Sequence, residues 1–153
     1  MNQATDRGTS GYIEINHPWI SNDDMPLYRW TFPTEASDEE LHTCLRVRED
    51  WGARAHYHVA WVIDLSNITK ASATQRRTFA EHLKRFEEFN VRWNAGSALI
   101  VPGAWLRGLV TAVFWISAPG FPNKLFSDPF EGEDWAKAQL AAKLAELPAG
   151  VGT

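Results

Sequence analysis

The chain has 153 residues, the length of one ordinary domain. Its net charge of −4 argues against a general nucleic-acid binder, because phosphate contacts need clustered lysine and arginine. The single cysteine, Cys44, excludes an internal disulfide and a thiolate metal cage. The first residues lack the apolar segment of a secretory signal, and no apolar run approaches the ~20 residues of a membrane span. We therefore expect one cytoplasmic domain over residues 1–153, with its core at about 12–146 and loose termini.

Apolar periodicity predicts strands that alternate with helices after an opening pair of strands. The predicted strands are 12–15, 27–32, 58–64, 96–101 and 124–126, and the predicted helices are 37–50, 71–90, 104–116 and 133–147. Residues 16–26 are predicted to form a loop, and Gly52 a left-handed C-cap residue. The sequence therefore predicts an α/β fold with four helices and a mixed, mostly parallel sheet that opens with an antiparallel pair.

Three patterns inside these elements predict burial. Alternation along strand 27–32 places Tyr28, Trp30 and Phe32 on one face. Strand 58–64 is almost entirely apolar, which is typical of a strand buried on both faces. Cys44 lies on the inner stripe of the first helix, so we expect a buried and unreactive thiol.

Motifs for catalysis are missing from the sequence. It contains no G-x-S-x-G, P-loop or G-x-G-x-x-G run, and its paired carboxylates are chain neighbours typical of a solvated surface. His56 and His58 could offer two metal ligands from one strand start, but no further ligands follow at a matching spacing. We therefore expect no catalytic residues, metal or cofactor, and interpret the chain as a non-enzyme.

The informative stretch is residues 62–77. A buried strand ends in Asp64, a polar loop follows, and a helix opens with small hydroxyl residues. Ligands of α/β sheets bind outside the carboxyl ends of the strands, and a helix N-terminus there offers free N–H groups. An ordinary turn with a Ser or Thr N-cap is the alternative interpretation. The candidate partner-binding residues are Asp64, Asn67, Ser72, Thr74, Arg76 and Arg77.

The Val-Ile-Asp-Leu-Ser-Asn-Ile-Thr run at 62–69, with the order of predicted elements, resembles the STAS domain family. This family includes anti-sigma-factor antagonists and the cytoplasmic ends of sulfate transporters. Its Asp-Ser-Ser/Thr-Gly helix start, phosphorylated on the first Ser, matches Ser72, Ala73, Thr74 and Gln75 in turn. The resemblance, which spans about 12–146, therefore implies that the phosphorylated serine is replaced by Ala73. The chain is most similar to divergent single-domain bacterial STAS-like proteins, whose fold is also similar to CRAL-TRIO lipid-exchange domains.

The resemblance implies a regulatory, non-enzymatic module that docks this loop and the second helix onto a protein partner. Lys70, Arg76 and Arg77, with Lys84 and Arg85 further on, concentrate positive charge that could steer an acidic partner. A solvated face balanced by neighbouring glutamates is the alternative interpretation of these charges.

A second hypothesis is a binding protein for a small apolar molecule or lipid. It depends on aromatic residues that could line a pocket, namely Trp30, Trp61, Trp93, Trp105, Phe114 and Trp115. Packing in the core is the alternative for most of them.

The helix predicted at 104–116 is apolar on nearly every face, with Arg107 and Thr111 as its polar side chains. One sheet face cannot easily cover so wide a surface. Either a neighbouring helix or a second subunit would cover the excess, and Trp105, Arg107, Phe114 and Trp115 are the candidate dimer or ligand surface. A two-fold homodimer is the expected form of self-association.

Overall fold

Five strands and five helices form along residues 11–147, the part of the chain that the computed structural model describes. The strands are β1 Ile20–Asp24, β2 Leu27–Thr31, β3 Val59–Asp64, β4 Asn94–Ile100 and β5 Asn123–Phe126. The helices are α1 Asp38–Gly52, α2 Ala73–Arg85, α3 Glu87–Trp93, α4 Ala104–Ile116 and α5 Pro129–Ala145. The tails predicted at 1–10 and 148–153 lie outside the described residues.

The five strands form one sheet in the order β1-β2-β3-β4-β5. β1 runs antiparallel to β2, and the remaining neighbours pair in parallel. The predicted α/β class and the mixed, mostly parallel sheet are therefore confirmed. Four helices were predicted and residues 11–147 form five, because the helix predicted at 71–90 is interrupted at Phe86, whose φ of −95° and ψ of 3° end α2 and begin α3.

The opening pair is antiparallel as predicted, but its first strand was placed wrongly. β1 lies in the segment predicted to be a loop, and residues 12–15 are not a strand. Side chains, not a neighbouring strand, hold the backbone of 12–15: the carbonyl of Ile13 accepts from Tyr28 Oη at 2.8 Å and Trp51 Nε1 at 3.0 Å. Asn22 of β1 binds both the N–H and the carbonyl of Ile15. Residues 12–15 therefore cover the core next to the sheet without joining it.

Alternation along the central strands divides the core between the two faces of the sheet. Tyr28, Trp30 and Phe32 belong to the larger core, which confirms their predicted common face. Side chains of α1 and α4 complete this core, together with Phe86 and Phe89. The opposite face of the sheet, including Ala60 and Val62, packs against α5.

The helix starts follow their capping residues. Ser37 and Glu40 form a reciprocal capping box at the start of α1. α5 begins at Pro129, earlier than the predicted 133, because Asp128 caps it and proline fits the first helical position. The prediction for Gly52 is wrong: it is the last residue of α1, and Gly11 is the only residue with positive φ within 11–147. A Cβ at Gly52 would collide with the ring of Phe86, so glycine here permits close packing.

None of the helices within residues 11–147 is long and apolar enough to cross a lipid bilayer.

Candidate functional site

An apolar cavity of about 120 Å³ opens at the carboxyl edge of the parallel strands. Its floor comes from the ends of β2, β3 and β4, and its walls come from α1, α2 and α4. The apolar lining side chains include Trp30, Phe32, Leu41, Ile63, Leu65, Ile68, Phe79, Leu83, Leu99, Leu109, Val110, Val113, Phe114 and Phe121. Ligands of such sheets bind at this edge, so the cavity is the candidate site.

Charged side chains stand among these apolar groups. Glu35 and Lys70 line the cavity and are exposed, so they lie at its mouth. Arg76 also lines it, and its Nη1 donates to the carbonyl of Ala71 at 2.9 Å. Together with Arg48, the lining therefore holds three cations and one carboxylate.

Arg48 is the unusual member of the lining, because its guanidinium is buried among aromatic rings. The residue is 2% exposed. Its Cζ lies 4.8, 4.3 and 4.2 Å from the ring centroids of Trp30, Trp61 and Phe86, respectively. Burial lowers the pKa of Arg48 to about 9, so the guanidinium remains charged at neutral pH. Cation–π contacts partly replace the water that this charge has lost.

A hydrogen-bonded chain links Arg48 to the surface. Arg48 Nη1 donates to His82 Nε2 at 2.9 Å, and His82 Nδ1 lies 2.7 Å from Glu49 Oε2. Burial lowers the pKa of His82 to about 4, so the imidazole is neutral at pH 7. The hydrogen bond from His82 is the main cause that lowers the pKa of Glu49 to about 2. Glu49 also pairs with the exposed Arg85 at 3.1 Å.

The predicted loop residues Asp64 and Asn67 do not line the cavity. Asp64 Oδ1 accepts from the N–H of Ser66 at 2.9 Å and from its hydroxyl at 2.6 Å, which is a local turn. Asn67 is exposed in the same loop. Their positions favour the turn interpretation.

The other four predicted partner-binding residues begin α2. Ser72 is its N-cap and forms a reciprocal capping box with Gln75. Thr74 and Arg77 are exposed in the first turns, whereas Arg76 is half-buried and lines the cavity. Arg76 is therefore the one predicted partner-binding residue in the cavity wall.

The candidate surface on α4 divides in two. Phe114 is half-buried and lines the cavity. Trp105 and Trp115 remain 53% and 84% exposed, so no helix within residues 11–147 covers them. Arg107 is exposed and donates to the hydroxyl of Ser127 at 3.1 Å.

The remaining aromatic and metal candidates lie elsewhere. Trp30 lines the cavity, whereas Trp61 is fully buried beneath the Arg48 guanidinium. His56 and His58 contact the ring of Trp93. No group of three or more His, Cys, Asp or Glu within residues 11–147 could hold a metal ion. Burial raises the pKa of the Cys44 thiol to about 12.

Sequence reasoning missed Arg48 and His82, although a signal was present. Arg48 continues the i, i+3, i+4, i+7 stripe that starts at Leu41 and includes Cys44 and Leu45. His82 likewise lies on the apolar face of the second helix, between Phe79 and Phe86. A charged or titratable residue on an otherwise apolar stripe indicates a buried polar group.

No protein-family model, curated protein or solved structure matches this chain.

Proposed function

We propose that this chain is a non-enzymatic binding module of STAS-like type whose carboxyl-edge cavity binds a small apolar molecule. The observation that carries the proposal is the cavity itself, about 120 Å³ in volume and lined mainly by apolar side chains. It approaches the ~150 Å³ that encloses one benzene ring in another protein. The antiparallel opening pair and the parallel strands that follow support the STAS-like part of the proposal.

The location of the cavity supports a ligand site over a packing defect. Its floor lies at the carboxyl ends of β2, β3 and β4, and the exposed Glu35 and Lys70 border an opening to solvent. Apolar lining with a few convergent polar groups is the usual composition of a small-molecule site. A ligand can therefore enter without unfolding the sheet.

Methyl NMR with toluene as the probe tests this proposal. The methyl signals of Ile63, Leu99 and Val110, which line the cavity, should shift as toluene is added. Those of Val62 and Ile100, on the opposite face of the sheet, should remain unchanged. No shift up to the solubility limit of toluene, or equal shifts on both faces, would contradict the proposal.

A matched pair of variants tests the place of entry. Ala71 is half-buried and lines the cavity, whereas Ala73 is exposed at the start of α2. Ala71→Phe should fill the mouth and abolish the toluene shifts, and Ala73→Phe should leave them intact. Equal behaviour of the two variants would place toluene elsewhere.

The second candidate function, docking of an acidic protein partner, is favoured by the charges at the start of α2. Lys70 and Arg77 are exposed there, and the first turn of α2 holds no acidic residue. A poly-glutamate peptide at low salt serves as the probe. Its binding should fall in the Lys70→Gln/Arg77→Gln double variant and persist in Lys137→Gln, whose lysine is on α5. Equal binding by both variants would contradict this second function.

A further inference from the structure

We propose that the ligand of the cavity is a small apolar monocarboxylate whose carboxylate pairs with Arg48 while its apolar body fills the remaining space. This inference rests on the proposed function, because it names the chemical class of the molecule that the same cavity binds.

The first step is the incomplete pairing of the Arg48 guanidinium. Arg48 Nη1 donates to His82, whereas Nε is buried and has no hydrogen-bond partner within residues 11–147. Leaving a donor of a buried charged group unpaired is costly, so buried charges are normally paired with an opposite charge. The site is therefore short of one anion.

The second step is that the positive charge of Arg48 is compensated only indirectly. Glu49 reaches Arg48 only through the neutral imidazole of His82, and the same carboxylate also pairs with Arg85. The charge of Glu49 is thus shared between two arginines, one of them across an intervening ring. Arg48 retains an uncompensated positive charge next to the cavity.

The third step is the geometry of the guanidinium. Nε and Nη2 lie on the same edge of the group, and this fork matches the two oxygens of a carboxylate. His82 engages Nη1, and Nε is buried with no hydrogen-bond partner within residues 11–147, so the Nε–Nη2 edge is the one that a ligand carboxylate would have to reach. Trp61 and Phe86 lie within 4.3 Å of Cζ, measured to their ring centroids, and so restrict the orientation of the group. A preoriented fork favours binding, because less side-chain freedom is lost.

The fourth step is the balance of charge and size in the lining. Lys70 and Arg76 add positive charge, against the single carboxylate of Glu35. This excess attracts anions toward the opening. The cavity of about 120 Å³ is somewhat smaller than the ~150 Å³ that holds benzene, so it fits a body of about four to six carbon atoms, either a ring or a short branched chain. The apolar body of such a ligand would contact the walls of the cavity, and its single carboxylate would pair with Arg48.

Benzoate and benzamide are the probes that test the charge, because they have nearly the same shape and only benzoate is an anion at pH 7. Titrations followed by the methyl signals of Ile63, Leu99 and Val110 give the two dissociation constants. Benzoate should bind about tenfold or more tightly, as expected for hydrogen bonds to a charged group. Equal affinities, or tighter binding of benzamide, would overturn the inference.

A set of variants tests the assignment to Arg48. Arg48→Met should remove the preference for benzoate, whereas Arg46→Met, at an exposed position of the same helix, should retain it. Lys70→Met, at the mouth, should reduce the preference less than Arg48→Met does. Loss of the preference in Lys70→Met with retention in Arg48→Met would overturn the assignment.

The result with toluene separates this inference from the function on which it rests. If toluene binds but benzoate is not preferred over benzamide, the proposal of an apolar ligand site is retained and the proposal of a carboxylate ligand is rejected. Failure of toluene, benzoate and benzamide to shift any cavity methyl rejects both. The wild-type comparison of benzoate with benzamide decides the inference even where Arg48→Met does not fold.

Discussion

Arg48 Nη1 lies 2.9 Å from His82 Nε2, and this contact fixes the state of a fully buried imidazole. An arginine can only donate, so Nε2 must accept and Nδ1 must carry the proton that faces Glu49. A second proton on Nε2 would face the guanidinium directly. The fold therefore requires a neutral His82, and this requirement has consequences for stability at low pH.

Stability should fall as the pH drops from about 6.5 toward 4. Burial lowers the pKa of folded His82 to about 4, below its ordinary 6.5. In this pH range His82 is therefore protonated in the unfolded chain but not in the folded chain. Lowering the pH favours the state that binds the proton, so it favours unfolding. The full effect is on the order of 3 kcal/mol. Urea unfolding at pH 7, 6, 5 and 4.5 measures it.

The control variants isolate His82 from other groups. Gln at this position can accept from Arg48 and donate to Glu49 without titrating, so His82→Gln should weaken the pH dependence above pH 4.5. Burial also lowers the pKa of His17 and of His58, so part of the dependence should remain. His42→Gln, at an exposed position, should not change it. Glu49 contributes separately, below pH 4.5, because its folded pKa is lowered to about 2. An unchanged pH dependence in His82→Gln would contradict the assignment.

Two helical glycines should respond oppositely to alanine. A Cβ at Gly52 would collide with the Phe86 ring, whereas nothing lies within 4 Å of a Cβ at Gly108. Gly52→Ala should lower the free energy of unfolding by about 1–3 kcal/mol through overpacking. Gly108→Ala should raise it by up to about 1 kcal/mol, because alanine favours the helix. Denaturant unfolding measures both, and effects of equal sign would contradict the packing at Gly52.

The stability of the N-terminus of α2 should depend on the hydroxyl of Ser72. Ser72 Oγ accepts from the N–H of Gln75 at 3.0 Å, and the Gln75 side chain accepts in return from the N–H of Ser72. Ser72→Ala should therefore cost about 1 kcal/mol of stability. Thr74→Ala, at an exposed position of the first turn, should cost much less. Similar losses in both variants would show that the capping box contributes little in solution.

The sequence predicted the elements whose apolar pattern matched their environment. The 104–116 helix is confirmed at its bounds, and β3 begins one residue after its predicted start. β1 was missed because an edge strand of sequence Ile-Ser-Asn-Asp-Asp carries no apolar alternation. Residues 12–15 alternate without being a strand, because they pack on the core through hydrogen bonds from distant side chains. Alternation of apolar and polar residues indicates that one side of a segment is buried. It does not indicate whether the backbone of that segment forms hydrogen bonds with a neighbouring strand.

The cavity was predictable only in part. The sequence placed a site at the carboxyl end of the strand that leads to Asp64, and the cavity opens at that edge of the sheet. The predicted polar loop is only its neighbour, because Asp64 uses its carboxylate on Ser66. Arg48 was missed because the periodicity of a helix shows only that a residue faces the core. It does not show whether a partner for a charged side chain is present there. That information requires the positions of His82 and Glu49 in space.

Asp64 should matter modestly for stability. It is half-buried and holds the loop through two bonds to Ser66, so Asp64→Ala should cost about 1 kcal/mol or less. Asn67→Ala, at an exposed position of the same loop, is the matched control. Thermal unfolding of both variants checks the difference, together with toluene binding. Loss of toluene binding in Asp64→Ala at unchanged stability would show that Asp64 serves the cavity directly.

The outer face of α4 should support self-association. At 3.6 residues per turn, Trp105, Gly108, Ala112, Trp115 and Ile116 lie within one sector of about 100°. The buried residues Leu106, Val110 and Val113 lie on the side that faces the sheet and α2. The outer sector therefore presents two exposed tryptophans, with the small residues Gly108 and Ala112 between them. Small residues let a second helix approach closely while the tryptophans bury apolar area, which favours a two-fold dimer of this chain.

Sedimentation velocity over about 5–100 μM measures this association through its dependence on concentration. Trp105→Gln/Trp115→Gln should shift the chain toward the monomer without loss of folding, since both side chains are exposed at 53% and 84%. Phe130→Gln is the matched control, because Phe130 is 78% exposed on α5. Nonspecific hydrophobic association would weaken in all these variants, whereas a dimer through α4 should weaken only when the tryptophans are replaced. A wild-type chain that sediments as a monomer at every concentration would contradict the prediction.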